Sequence, residues 1–333
     1  EEAGLSGDQI IVTHTAQDVV RNLKPRLTSG DLLLVKGDVE THMERIVEQL
    51  LAEPADSARL VRRLKGLKVQ TSRPQRPTWL EVDLEAVAYN VQQIKQFVGP
   101  AVEVLAVLKA DAYGHGALKV ARTALNNGAS FCGVASVNEA IKLREAGVDA
   151  PILVLGYTPA WLAKEAFLHD VTLTLYDVDM ARVYSRAATD LRRTARVHVK
   201  VDTGMGRLGL LPEEVVPFME EIRRLPALDP EGIFTHFSVA DEEDLSYTRW
   251  QLNRFRDVLD RLRRNGVTFR RVHCANSSAT LRLPESHFDM VRLGLAMYGL
   301  QPSTHVTLPA DSRPALSWKT SVAQVKTLPP GSY

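Results

Sequence analysis

The sequence predicts an α/β chain built around a (β/α)8 TIM barrel, with a short α/β fragment before it and the opening strand of a β domain after it. Three observations carry this. Eight short apolar runs recur between residues 104 and 293. Stretches with apolar residues at helical spacing separate nearly all of them. Charged, hydroxyl and amide residues gather where the runs end, which is where barrels hold their chemistry. The 333 residues exceed the roughly 250 that such a barrel occupies, which leaves room for a second piece.

Residues 1–64 read as one small α/β piece: an apolar run at 9–12, an amphipathic stretch at 16–27, a strand at 31–36 and a helix at 43–51. Residues 65–77 carry Lys68, Arg73, Pro74, Arg76 and Pro77 with no apolar periodicity, and read as a linker. The barrel is assigned to 78–310, with strands at 104–108, 131–135, 152–155, 171–175, 197–201, 232–236, 271–275 and 290–293. Helices are expected at 84–97, 118–126, 137–146, 180–191, 212–225 and 247–265. From 311 to 333 the helical stripe is lost, and Trp318, Val322, Val325 and Leu328 lie scattered among polar residues as at the start of a β domain. A lone strand is not stable, so this segment is expected to pair with residues 79–82 or to fray. Both chain ends read as cut.

Composition excludes some functions. The 41 basic and 40 acidic residues nearly cancel, so neither nucleic acid nor another polyanion is an expected partner. No apolar span is long enough for a membrane helix and no signal peptide opens the chain, which favours the cytoplasm. The two cysteines, Cys132 and Cys274, sit in apolar runs and read as buried thiols of a reducing compartment, with no zinc spacing.

The strongest chemical signal is Lys109, placed where an apolar strand gives way to a turn with Tyr113, Gly114, His115 and Gly116. A lysine carried into a low-dielectric mouth is favoured as the neutral amine that condenses with carbonyls. The commoner fate of lysine is to end a strand and reach for solvent. His115 reads as turn structure.

A second cluster runs from Lys200 through Asp202 to Arg207, with three glycines that let backbone approach a ligand and a guanidinium suited to an oxyanion. A lysine inside a barrel beside another cation is costly unless neutralised; carbamylation by carbon dioxide would turn Lys200 into an anion able to hold Arg207. Asn276 and Ser277 open a short helix, as an anion site or as plain caps. Arg292 lies inside an apolar strand and demands a partner. Ser277 and Gly294 fall after the seventh and eighth barrel strands, a common phosphate position. His236 ends a strand at the same mouth. His198, His273 and His287 are given no function.

The stretches AVLKADAYGHG, KVDTGMGRLG, THFS, ANSSA and VRLGLAMYG together resemble bacterial alanine racemases from about residue 76 to Tyr333. The resemblance implies pyridoxal 5'-phosphate bound as a Schiff base to Lys109, which would be one of two proton-transfer bases. It implies phosphate contacts from Tyr113, Ser277, Gly294 and Leu295, with Asn276 beside them. Arg207 would face the cofactor's phenolic oxygen and the substrate, with carbamylated Lys200 holding it. Arg292 would face the pyridine nitrogen, with His236 bonded behind it. The second base would be a tyrosine from the β domain of a partner subunit in a homodimer acting on alanine, and the chain stops before a match for it.

Residues 1–64 resemble something else. The stretch 25–51, above all SGDLLLVKG and MERIV, is similar to the end of a Mur ligase C-terminal domain of the type that adds D-alanyl-D-alanine to the muramyl tripeptide. That implies a ligase and racemase fused for peptidoglycan synthesis. No ATP phosphate loop is present, so no ligase activity is expected of this stretch alone. Two other classes stay open: a pyridoxal-phosphate-binding barrel without turnover, and a decarboxylase of related fold. The decarboxylase is disfavoured because a carboxylate would face the ring nitrogen in place of Arg292.

Overall fold

The computed structural model describes residues 11–28, 30–35, 43–51 and 77–332. It divides into two compact units, one comprising the residues up to Asp83 together with those from Leu316 onward, the other spanning Leu84–Ala315.

In the first unit, Thr15 caps the helix Ala16–Leu23 by accepting the Asp18 amide at 3.1 Å, and a tight turn at Lys24–Arg26 follows. A second helix covers Glu44–Leu50. The strand expected at 31–36 is not formed: residues 31–35 are irregular, with Leu32 and Leu34 exposed. An apolar run becomes a strand only against a neighbouring strand that takes its backbone hydrogen bonds, and among the described residues the only such bond is a turn contact from the Asp31 amide to Thr28 O. The small α/β alternation expected of this segment is therefore absent among the described residues. Residue 36 and the linker up to residue 76 lie outside them. Strand β1 (Thr78–Val82) pairs antiparallel with β10 (Leu316–Thr320), Thr78 opposite Thr320 and Val82 opposite Leu316. Of the two outcomes expected for the C-terminal segment, pairing is the one observed.

The second unit is the barrel. Its strands are β2 (Glu103–Val107), β3 (Phe131–Val134), β4 (Ile152–Val154), β5 (Thr172–Leu175), β6 (Ala195–Lys200), β7 (Leu228–Phe234), β8 (Arg271–His273) and β9 (Met290–Leu293). They pair in parallel in the order β8-β7-β6-β5-β4-β3-β2-β9. Single bonds join the two outer strands: the Asp289 amide to Val272 O at 3.1 Å, and the Arg292 amide to Ala275 O at 3.0 Å. Buried on both faces, such strands carry near-continuous apolar side chains, which is why all eight were legible.

Helices at Leu84–Val98, Ala117–Asn126, Val137–Glu145, Val178–Asp190, Val215–Ile222 and Ser246–Arg264 pack outside. The helix Ala163–Leu168 was missed because six residues are too few to show a period. Cys132 and Cys274 are buried free thiols, each pushed up to about 12 by burial. No helix among the described residues is long and apolar enough to cross a membrane.

Candidate active site at the barrel mouth

A cavity of about 470 Å³ opens at the carboxyl ends of the strands. Every residue that the resemblance assigns to the site lines it: Lys109, Tyr113, Lys200, Arg207, His236, Asn276, Ser277, Arg292, Gly294 and Leu295.

Lys109 follows the end of β2 and starts an unusual turn. Ala110, Asp111, Ala112 and Tyr113 all have φ between 53° and 55°, the left-handed region that costs an L-residue roughly 1–2 kcal/mol each. Local bonds hold the turn: the Ala112 amide to Leu108 O at 2.8 Å, the Gly116 amide to Asp111 O at 3.0 Å, and the Ala117 amide to Asp111 Oδ1 at 2.7 Å. Glu139 adds an anchor from outside by accepting the Ala110 amide at 2.8 Å. His115 is buried and its Nδ1 donates to Ala112 O, so it is part of the turn as read. One expectation is corrected. Lys109 is exposed at the rim, 5.5 Å from the Tyr113 ring centroid, so a buried strand does not desolvate its amine. The strand stops at Val107, and Lys109 lines the cavity from the start of the turn.

Asp202 shapes the next loop. Its Oδ1 accepts the amides of Gly204, Met205 and Gly206, and its Oδ2 accepts that of Arg207 at 2.9 Å. Partial burial opposes ionisation, but these four donors outweigh it and hold the carboxyl below its ordinary value. Arg207 itself is exposed. Lys200 is 6% exposed, with Nζ 4.1 Å from the Phe234 ring centroid. Burial, then the charges of Arg292 and Arg207, drive its amine well below the usual lysine value.

Arg292 is the hub of the opposite wall. Nη1 donates to His273 Nδ1 at 2.9 Å, and Nη2 donates to Thr235 O, Cys274 O and His236 Nδ1 at 2.9, 3.0 and 3.0 Å. The demand for partners is thus met by neutral acceptors. Burial lowers the guanidinium to about 10, which leaves it charged at neutral pH, and burial followed by the Arg292 charge keeps His236 well below its ordinary value. Ser277 Oγ accepts the Gly294 and Ala296 amides at 2.9 and 3.3 Å, which leaves its own proton free to donate. Asn276 caps its helix through Oδ1, which takes the Ala279 amide at 2.9 Å.

Sequence reasoning passed over three groups that organise this site: His273, His198 and Glu139. The strand period held a signal for His198, which sits two residues before Lys200 on the same face. Glu139 could have been found as the third helical residue after Ser136, the capping-box position.

The family model "Alanine racemase, N-terminal domain" matches residues 82–302. An alanine racemase of Desulforamulus reducens is 45% identical over 258 residues, 77% of this chain and 70% of that protein. One of Symbiobacterium thermophilum is 46% identical over 256 residues, 77% and 68% of the respective chains. Among solved structures, the alanine racemase of Clostridium difficile 630 in complex with cycloserine is similar with a TM-score of 0.73 at 37% identity, covering 77% of this chain and 71% of that one. The Bacillus anthracis alanine racemase with bound L-Ala-P gives 0.70 at 43%, covering 73% and 64%.

Proposed function

The chain belongs to the alanine racemase family, an enzyme family dependent on pyridoxal 5'-phosphate, and on that premise we propose how its own residues interconvert L- and D-alanine. The observation that carries the reading is the convergence of Lys109, Arg207, His236, Ser277 and Arg292 on one cavity.

The mouth fits the cofactor. A Cβ at Gly294 would lie 3.1 Å from the Tyr113 hydroxyl and 3.8 Å from Ser277 Oγ, so the missing side chain leaves a cradle among donors. Tyr113, Ser277 and the backbone at Gly294 and Leu295, flanked by Asn276, would hold the phosphate. The Nε–H of Arg292 meets no protein acceptor among the described residues and would serve the ring nitrogen. Lys109 would hold the aldehyde carbon through its amine, and Arg207 the phenolic oxygen and the substrate carboxylate.

Bound pyridoxal phosphate supplies an electron sink that acidifies the Cα–H of an amino acid attached to it. Arg292 does not give up its proton, so at the ring nitrogen it would donate without transferring and would keep that sink weak. Lys109 Nζ takes or returns the Cα proton on one face. Racemisation needs a second base on the other face, and among the cavity-lining residues Tyr113 is the sole tyrosine, already placed at the phosphate. The second base would be a tyrosine from outside the barrel, contributed by the partner of a homodimer. A carbamylated Lys200 would hold Arg207 by charge. The wider assignment, a racemase following a Mur ligase remnant at residues 1–64 and serving peptidoglycan synthesis, rests on the resemblance of 25–51 alone, and its cytoplasmic placement on the sequence pattern.

The test is chemical. Loading the chain with pyridoxal phosphate, reducing with borohydride and mapping the labelled peptide should place the label on Lys109, and Lys109→Ala should carry none. A label elsewhere overturns the assignment.

A further inference from the structure

Below the mouth runs a line of buried polar groups that the roles above leave unused. An arginine can only donate, so the His273 Nδ1 that meets Arg292 Nη1 at 2.9 Å carries a lone pair, and the His273 proton sits on Nε2. That proton faces His198 Nδ1 at 2.8 Å. His198 is thereby an acceptor, with its own proton on Nε2. This N–H makes no hydrogen bond among the described residues, and the nearest charge to it is Glu231 Oε1, 3.5 Å away. Glu231 is held from the far side by Arg270 at 3.1 Å and Arg271 at 3.4 Å, and Thr172 Oγ1 lies 3.5 Å from its Oε1. Burial first, then the Arg292 charge, keeps His273 neutral; burial also lowers His198.

The backbone is shaped for this line. Val197 pairs with Pro230 and His198 with Gly232, so Glu231 is the extra residue of a bulge that swings its carboxylate inward. A Cβ at Gly232 would sit 2.6 Å from the His198 ring, so only glycine leaves room for the imidazole. The His273 ring stacks on Phe234 at 4.7 Å, with planes 6° apart.

We infer that Glu231 is a positioning residue for Arg292: acting through His198 and His273, it fixes the acceptor face of His273 on Nη1 and so aims the guanidinium's free N–H at the mouth. The inference rests on the reading in which Arg292 faces the cofactor's ring nitrogen. Arg292, which can only donate, already selects the accepting nitrogen of His273, and the carboxylate at the far end, 3.5 Å from His198 Nε2, reinforces that same direction by its charge. An amide at 231 would remove that charge and could also donate, so the hold on the two rings would loosen.

The experiment is ¹⁵N–¹H correlation spectroscopy of the histidine rings in the cofactor-free chain, with the dissociation constant of pyridoxal phosphate measured alongside. Wild type should show His198 and His273 both protonated at Nε2. Glu231→Gln should move or broaden the His273 signals and weaken cofactor binding by about 2- to 30-fold, the span of measured couplings through such networks. Glu231→Asp, which keeps the charge, should restore much of both. Glu103→Gln is the structural control, since Glu103 pairs with Arg271 at 2.7 Å but touches no histidine. A His273 proton on Nδ1 in wild type overturns the proposal, as does a Glu103→Gln spectrum that changes as much as that of Glu231→Gln. Wild type alone decides the tautomers if a variant does not fold. Failure of the Lys109 assignment would appear separately, as a misplaced borohydride label with these ring signals intact.

Discussion

Ala110 and Glu139, 29 residues apart in sequence, are joined by a 2.8 Å hydrogen bond from the Ala110 amide to Glu139 Oε1, while Oε2 of the same carboxylate takes the Ala135 amide at 2.7 Å. One side chain therefore ties the left-handed turn that carries Lys109 to the end of a neighbouring strand. Four L-residues in that region store several kcal/mol by the per-residue cost, and without outside anchors the turn would relax.

Glu139→Ala should lower global stability by about 1–3 kcal/mol, because it removes both a helix cap and the acceptor for a turn amide. The more specific effect is on Lys109. Its borohydride-trapped fraction with pyridoxal phosphate should fall more than in Ser136→Ala, which removes the other half of the cap and leaves the turn anchor. Denaturant unfolding and peptide mapping read the two effects, and equal trapping in both variants would remove the anchor role.

How far the sequence was legible follows from these contacts. The barrel could be read because parallel strands covered on both faces leave apolar runs, and the site residues because Lys109, Lys200, His236 and Arg292 interrupt or end such runs. The turn after Lys109 could not be read. In Ala-Asp-Ala-Tyr only the aspartate leans toward the left-handed region, and a carboxylate 29 residues away helps to impose it on the other three. Residues 31–35 of the strand expected at 31–36 stay irregular for the converse reason: local propensity is satisfied, and no described residue pairs with them. His198 and His273 were passed over because an imidazole on a strand has no fixed meaning until its neighbours set its tautomer.

Lys200 makes a prediction about pH. Its folded-state pKa lies well below 10.5, so below 10.5 the unfolded chain binds a proton that the folded chain does not. Stability should therefore rise with pH from the folded value up to about 10.5 and fall as pH drops. Lys200→Met should be more stable than wild type at neutral pH in bicarbonate-free buffer, with the gap closing toward pH 10.5. Carbon dioxide adds to the neutral amine to give a carbamate and one released proton, so bicarbonate should raise the melting temperature of wild type only. A ¹³C carbamate resonance from labelled bicarbonate identifies the adduct.

With Arg292 at the ring nitrogen as proposed, Arg292→Glu would replace a donor that retains its proton with a carboxylate that lets the nitrogen protonate, strengthening the sink. In the cofactor-loaded enzyme with alanine, pyruvate and pyridoxamine phosphate should then accumulate relative to the racemised product, by about tenfold for each 1.4 kcal/mol of added carbanion stabilisation. The ratio is read by chromatography of the quenched reaction. An unchanged ratio in a folded, cofactor-loaded variant would show that Arg292 does not set reaction specificity.

Gly232 offers a test that separates packing from hydrogen bonding. A methyl group there meets His198 Cε1 and Nδ1 at 2.6 Å, and the backbone has no positive φ to complicate the substitution. Alanine should be tolerated by the strand itself. Gly232→Ala alone should cost about 1–3 kcal/mol, the usual range for overpacking a filled core, by pushing the imidazole off His273. His198→Ala should cost a similar amount through its cavity and the unsatisfied His273 proton. Combined, the new methyl group enters the space vacated by the ring, so the double variant should be more stable than the sum of the two losses by about 1 kcal/mol or more, a coupling typical of residues in contact. Simple additivity in urea unfolding would mean that the glycine is not there to make room for the ring.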